Sequence, residues 1–440
     1  MATSALPASV RRGYALGGVA TGSFGTVPGL LLLPYLTDRL GVAAGLAGLI
    51  VFLPKAWDVV LNPVAGRISD RSTNPAGRRR PFLLKAGLAL AVCFVLLFAG
   101  PTSTVPGAVW VVVLFLACAT AYAFFQVPYV AMPAELTDDY DERTRLMSWR
   151  VAVLALAILV SGGLSPMIRN QLGPVWGYRG VGVFVGALIA LGALGAWWGT
   201  RRAVMRDVAA PTASLAEQLR IVARARDFRT LLIAYVLQAL ATAAMLAGVD
   251  YVARALMGSS GLSTILFVCF VAPALVVTPL WQRVGQRVGK RTGFLLGSLL
   301  LGGGALAALL GMRLGVAALA AAVAVVGVGY AGTQMFPLAM LPDVAAVDAA
   351  RTGENRAGVY TGVWTAAETF GMALGPFAYA AVLALGGYVS STDGSVTQPE
   401  SALRAIELGF SALPAALVAV SLVFLVRYRL DARAVEEATR

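Results

Sequence analysis

Apolar runs of about 20 residues recur along the whole 440-residue chain, separated by short polar stretches. Runs of that length predict helices that cross a bilayer. About twelve spans are expected, at 14–37, 42–66, 82–101, 107–134, 149–168, 180–200, 229–253, 262–282, 293–313, 316–341, 357–388 and 402–427. Residues 1–13 are polar and small, and the first apolar run is long enough to span and stay, so no cleaved signal peptide is expected.

The polar stretches carry the orientation. Arginines follow spans 2, 6, 8 and 12 (Arg67 and Arg71, Arg201 and Arg206, Arg283 and Arg287, Arg427 and Arg429), while the loops after spans 3, 7, 9 and 11 are nearly free of them. By the positive-inside rule both termini face the cytoplasm, and a multi-pass protein of the bacterial inner membrane is expected. The segment 201–228 is the longest charged connection, and its SLAEQLRIVARA pattern predicts a short amphipathic helix at the membrane surface. It divides a six-helix bundle at 1–200 from a second at 229–440.

The second half repeats the first. NPVAGRISDRS…GRRRPFLL parallels TPLWQRVGQRVGKRTGFLL, with Pro63, Arg67 and Arg71 matching Pro279, Arg283 and Arg287 at one constant offset. AMPAELTDDYDERTR echoes AMLPDVAAVDAARTGENR. Two parallel halves of six spans predict an all-α membrane protein with the major facilitator superfamily fold, in two pseudo-symmetric bundles with the substrate site between them.

Composition sharpens this reading. The chain is 58% hydrophobic and 13% charged, against roughly 45–50% and about 25% in soluble domains. The net charge of +13 belongs to cytoplasmic loops, so no nucleic-acid partner is expected. Cys93, Cys118 and Cys269 all fall inside apolar runs and read as small core residues, not disulfide partners. The sequence holds no histidine. That removes His-based proton relays, Ser–His triads and most transition-metal sites, and an intramembrane enzyme is not expected.

Within this apolar frame a few polar residues stand out. Asp58, in AWDVVLNPVAGRISDRS, sits mid-span, where a carboxylate costs about 2.5–3.5 kcal/mol to insert. Asn62 follows one turn later on the same face. A carboxylate and an amide oxygen help hold a monovalent cation, and a desolvated carboxylate carries a proton instead; pairing with an arginine of another helix is the competing structural reading. Gly66, Asp70, Arg71 and Arg78 form a helix-end glycine and charge cluster that reads as a cytoplasmic latch, or as topology alone. Span 4 offers Gln126 and Tyr129 between Pro128 and Pro133; cavity and packing roles both fit them. The acids that follow, Glu135, Asp138, Asp139, Asp141 and Glu142, read as solvated loop charge. Arg150 either snorkels to the interface or turns inward. On span 11, Tyr360, Trp364 and Glu368 fall at i, i+4 and i+8 and make one stripe, flanked by Thr361 and Thr365, which the acid marks as cavity-facing. Tyr330 and Gln334 repeat the i, i+4 spacing on span 10. Asp250 and Tyr251, near the outer end of span 7, fit a gate or a solvated helix end.

WDVVLNPVAGRISDRS…GRRRPFLL, FQVPYVAMPAELTDDYDERTRL and LPDVAAVDAARTGENRAGVYTGVWTAAETFGMALG resemble the span-2, span-4/5 and span-10/11 signatures of the glycoside–pentoside–hexuronide:cation symporters, the melibiose-permease branch of the superfamily. The resemblance covers essentially the whole chain. It implies that Asp58 is a cation-site carboxylate and Arg150 a residue of the substrate region. The chain departs from the family pattern at several positions: Asn62 replaces a second carboxylate, Ala123 a hydroxyl ligand (with Thr120 nearby), Gly22 and Gln126 the sugar-binding aspartates, Val130 a tryptophan and Thr369 a lysine. These departures favour a proton over sodium. The reading is a cation-coupled (H+ or Na+) secondary transporter of a sugar- or glycoside-like small solute. A lysophospholipid or other amphiphile symporter, or a proton-coupled exporter, is the alternative on the same fold. Asp58 and Asn62 are expected to hold the coupling ion, and Gln126, Tyr129, Arg150, Tyr360, Trp364 and Glu368 the substrate. A monomer in the lipid bilayer is expected, with no cofactor and no metal beyond Na+ at Asp58.

Overall fold

The computed structural model describes residues 6–72, 74, 77, 79–137, 139–201, 203, 220, 225–352, 356–392 and 396–430. Among these, twelve helices are long and apolar enough to cross a membrane. They are α1 (Ala8–Asp38), α2 (Ala44–Asp70), α3 (Arg80–Leu97), α4 (Thr104–Leu136), α5 (Arg145–Gly173), α6 (Trp176–Thr200), α7 (Arg226–Tyr251), α8 (Leu262–Val288), α9 (Lys290–Leu314), α10 (Val316–Thr352), α11 (Ala357–Leu385) and α12 (Glu400–Arg427). No strand occurs among the described residues. In lipid every backbone polar group has to be satisfied within its own segment, which is why such runs become helices.

Several helices outrun their predicted spans. α2 continues to Asp70 and α10 to Thr352. Hydropathy ends where charge begins, whereas a helical hydrogen-bond ladder continues into water. α5 and α6 belong to one helical stretch, Tyr140–Thr200, broken at Gly173. Gly173 takes φ 74°, a left-handed conformation that residues with a Cβ avoid. The expected amphipathic helix in 201–228 falls almost wholly outside the described residues.

The described residues fall into two compact units, one from 1–210 together with 390–396, the other from 211–389 together with 397–440. In the first unit α1 packs on the α5–α6 stretch, α3 on that stretch and on α4, and α2 on α4. The second unit repeats the scheme: α7 packs on α11 and α12, α9 on α10 and α12, and α8 on α10. Paired prolines recur with it, Pro128 and Pro133 inside α4, Pro337 and Pro342 inside α10. Close approach is bought by small residues: a Cβ added to Gly13 of α1 would lie 2.4 Å from the Gly199 Cα of α6. The stretch before α12 belongs to the first unit, where the Ser391 amide donates to the Thr37 carbonyl and Arg39 to that of Thr392.

Each unit has its own core. In the second it is aromatic: Phe228, Tyr235, Trp281, Phe294, Phe336, Tyr360, Trp364 and Tyr428 pack together.

Candidate functional site

Asp58 lies in the middle of α2 and is buried, with 3% of its surface exposed. Its Oδ1 finds no hydrogen-bond partner among the described residues. One turn earlier on the same helix stands Lys55, half-buried. The Lys55 ammonium lies 5.0 Å from the centre of the Phe24 ring of α1. Phe24 packs in turn on Tyr122 of α4, ring centres 4.5 Å apart. Asn62 is half-buried one turn after Asp58.

Gln126 and Arg150 belong to the same unit. Arg150, at the start of α5, does not snorkel outward: its guanidinium lies over the Tyr129 ring at 5.2 Å, a cation–π contact. Its neighbour Trp149 is exposed. Tyr129 is fully buried, stacks on Tyr14 at 4.7 Å and donates a 2.7 Å hydrogen bond to the Tyr14 carbonyl. Its role in the fold is therefore a wall that carries Arg150. Gln126 Oε1 and Arg150 Nε have no hydrogen-bond partner among the described residues. Thr120 gives its hydroxyl to the Leu116 carbonyl and lines a groove of α3 and α4 with Phe82, Lys85, Cys93 and Phe124. Gly22 packs against α5, where a Cβ would meet the Leu154 carbonyl at 2.9 Å.

In the second unit the stripe of Tyr360, Trp364 and Glu368 exists, but it faces α7. Tyr360 meets Phe228 edge-on at 4.8 Å, Trp364 stacks on Tyr235 at 4.5 Å, and Tyr235 donates a 2.5 Å hydrogen bond to Glu368 Oε1. Tyr360 and Trp364 are buried in the core. The Tyr235 hydroxyl also sits 2.9 Å from the Gln334 side-chain oxygen of α10. A hydroxyl has one proton to give, so a rotated Gln334 amide donates back to it. Thr365 and Thr369 bond to carbonyls one turn earlier in α11. Gln238, one turn after Tyr235 on α7, reaches Ser298 of α9 and Ser421 of α12, both at 2.8 Å, and ties three helices. Asp250 is a fully buried acid, held by Arg254 at 2.6 Å and by the Ser263 hydroxyl at 2.8 Å, not a solvated helix end.

The charged helix ends correct two expectations. Gly66 lies inside α2, four residues before its end, so it does not terminate the helix. Asp70 pairs with Arg79 at 2.9 Å, while Arg71 is exposed at the helix end and Arg78 lies outside the described residues. Arg79 also bonds to Glu135, and so joins the ends of α2 and α4 at the start of α3. Glu135 and Glu142 are buried rather than solvated. Glu142 pairs with Arg11 of α1 at 3.0 Å, and its amide is capped by Asp139 at 2.9 Å. The second unit places Lys290, just at the start of α9, on Asp343 of α10 at 2.7 Å. The third helix of each unit also reaches a carbonyl near the end of the sixth: Arg80 donates to Ala203 and Arg291 to Val426.

Lys55 and Tyr235 were not singled out from the sequence. Lys55 was visible as a charge in LPKAWD, three residues before the acid. Tyr235 had only the weak signal of a polar tip in an apolar run.

The description "MFS/sugar transport protein" covers the family model that matches residues 13–432. The chain is 26% identical to an uncharacterized symporter of Synechocystis sp., over 90% of this chain and 89% of that protein. It is 26% identical to a glucuronide carrier protein homolog of Escherichia coli, over 97% of this chain and 93% of that one. Among solved structures, a bacterial homolog of the human lysosomal transporter Spinster matches with a TM-score of 0.71 at 14% identity, over 98% of this chain and 97% of that one. At that identity the likeness concerns the fold. With twelve helices among the described residues long and apolar enough to cross a membrane, in two units of matching topology, the chain is a multi-pass membrane protein that belongs to the major facilitator family of MFS/sugar transport proteins.

Proposed function

We propose that this transporter is a cation-coupled symporter that carries a sugar- or glycoside-like small solute by alternating access, with Asp58 as the acid that takes the coupling ion and Asn62 beside it. The observation that carries the reading is the buried Asp58 carboxylate with an oxygen that accepts no hydrogen bond from the described residues. Such an atom is expensive to keep unless something binds it during the working cycle. Gln126 and Arg150 supply further polar atoms without partners in the same unit, suited to hydroxyl groups and to an anionic substituent. In the other unit Tyr360 and Trp364 belong to the core and Glu368 is held by Tyr235, so they brace α11 against α7 instead of meeting the solute. Both termini face the cytoplasm, as the arginine-rich loops direct. Similarity to a glucuronide carrier homolog supports the choice of a sugar-like solute.

The test is uptake into proteoliposomes of a panel of glycosides, hexuronides and lysophospholipids under imposed proton or sodium gradients. Accumulation of a glycoside or hexuronide driven by one gradient is expected. Uptake of a lysophospholipid alone would move the cargo to amphiphiles, and gradient-driven efflux would replace symport by export.

A further inference from the structure

We infer that Lys55 is a tethered cation that stands in for a metal ion beside Asp58, so that the coupling site excludes sodium. The inference rests on the reading of Asp58 as the coupling acid, and adds which cation that acid accepts.

The local charge comes first. Asp58 brings one negative charge, and its helical neighbour Asn62 brings only an amide. Lys55 stands three residues before Asp58 on the same face of α2. The pair is neutral as it stands. Asp58 in turn acts on Tyr122 of α4. Arg150 of α5 acts on Tyr122 and adds positive character. α1 contributes Phe24, which has no charge. These neighbours therefore bring no second carboxylate.

Geometry then fixes the ammonium. It lies over the Phe24 ring at 5.0 Å, and that ring is wedged against Tyr122. A cation over an aromatic face is attracted by the ring quadrupole, so Lys55 has a reason to stay where it is. An arriving sodium ion would meet the like charge of Lys55 one turn away on the same helix. It would also need several oxygen ligands, where Asp58 and Asn62 supply few. A proton needs one oxygen. It forms an O–H bond at the partnerless Oδ1, converts the carboxylate to a carboxylic acid and leaves the Lys55 charge uncompensated. That change in local charge is the signal a coupling ion has to deliver.

Thermal unfolding of the purified full chain in detergent tests this, followed by tryptophan fluorescence in sodium chloride against choline chloride at equal ionic strength. The wild type and Lys55→Arg should give the same Tm in both salts. Lys55→Ala, or Lys55→Ala combined with Asn62→Asp, should gain a saturable sodium-dependent rise of about 2–4 °C. Adding Asp58→Asn should remove that rise. A wild-type protein stabilised by sodium as strongly as the variants overturns the inference; if Asp58→Asn abolishes that response, the coupling role of Asp58 survives. No sodium response in Lys55→Ala or in the double variant overturns it as well, because Lys55 would then not be what keeps sodium out. The reading of Asp58 itself fails on a separate observation, gradient-driven uptake that persists in Asp58→Asn.

Discussion

The two units share a helix plan and differ in how they treat their buried acid. In the second unit Glu368 is already held: Tyr235 donates to it and Gln334 braces Tyr235. In the first, Asp58 keeps an oxygen without a partner among the described residues, with Lys55 one turn away, and Gln126 Oε1 and Arg150 Nε in the same unit are likewise without one. A satisfied acid is part of the architecture. One without a protein partner is open to an ion or to water. The same asymmetry appears in the clamps at the helix ends. Arg79 grips the buried Glu135, which is 2% exposed, whereas Lys290 holds Asp343 with its own side chain 47% exposed.

The largest expected effect comes from breaking the first clamp. Arg79→Ala leaves Glu135 charged and buried without its base, and should destabilise the protein by about 3–5 kcal/mol. A thermal melt in detergent would read this, and a change no larger than that of an exposed pair would sink the claim that the clamps differ. Tyr235→Phe comes next. It leaves the buried Glu368 without its Tyr235 hydrogen bond and should cost about 1–3 kcal/mol, visible in the same melt. Asp58→Asn should lower the melting temperature less than Tyr235→Phe does, since Oδ1 has no hydrogen bond to lose among the described residues and the Lys55 ammonium keeps its place over the Phe24 ring. A drop as deep as that of Tyr235→Phe would erase the contrast between the two acids. Smallest is Lys290→Ala, worth about 0–1 kcal/mol because water screens the pair; raising the salt concentration should shrink even that difference.

What the sequence revealed, and what it hid, follows from the range of the interactions. The spans and the repeat were legible because apolar length and motif spacing are local properties. Asp58 was legible because a carboxylate inside an apolar run carries its cost on its face. Glu135 and Glu142 read as loop charge in the sequence and are buried in the structure. Their partners, Arg79 and Arg11, lie 56 and 131 residues away, and an acid-rich stretch gives no hint of which members turn inward. The stripe on α11 was placed correctly on one face, but periodicity does not say what that face meets. Tyr235, 133 residues from Glu368, answered that. Lys55 needed the reverse step, in which a charge close in sequence is read as a partner instead of as one more basic residue.

The central claim, that Asp58 couples an ion to solute movement, is tested most directly by two assays on one variant. Asp58→Asn, reconstituted in proteoliposomes, is compared with wild type in gradient-driven accumulation and in solute exchange without a gradient. The account predicts that accumulation falls by about 5–150-fold while exchange persists, the loss expected when a residue that binds the driving ion, not the solute, is removed. Accumulation at the wild-type level in Asp58→Asn would contradict it.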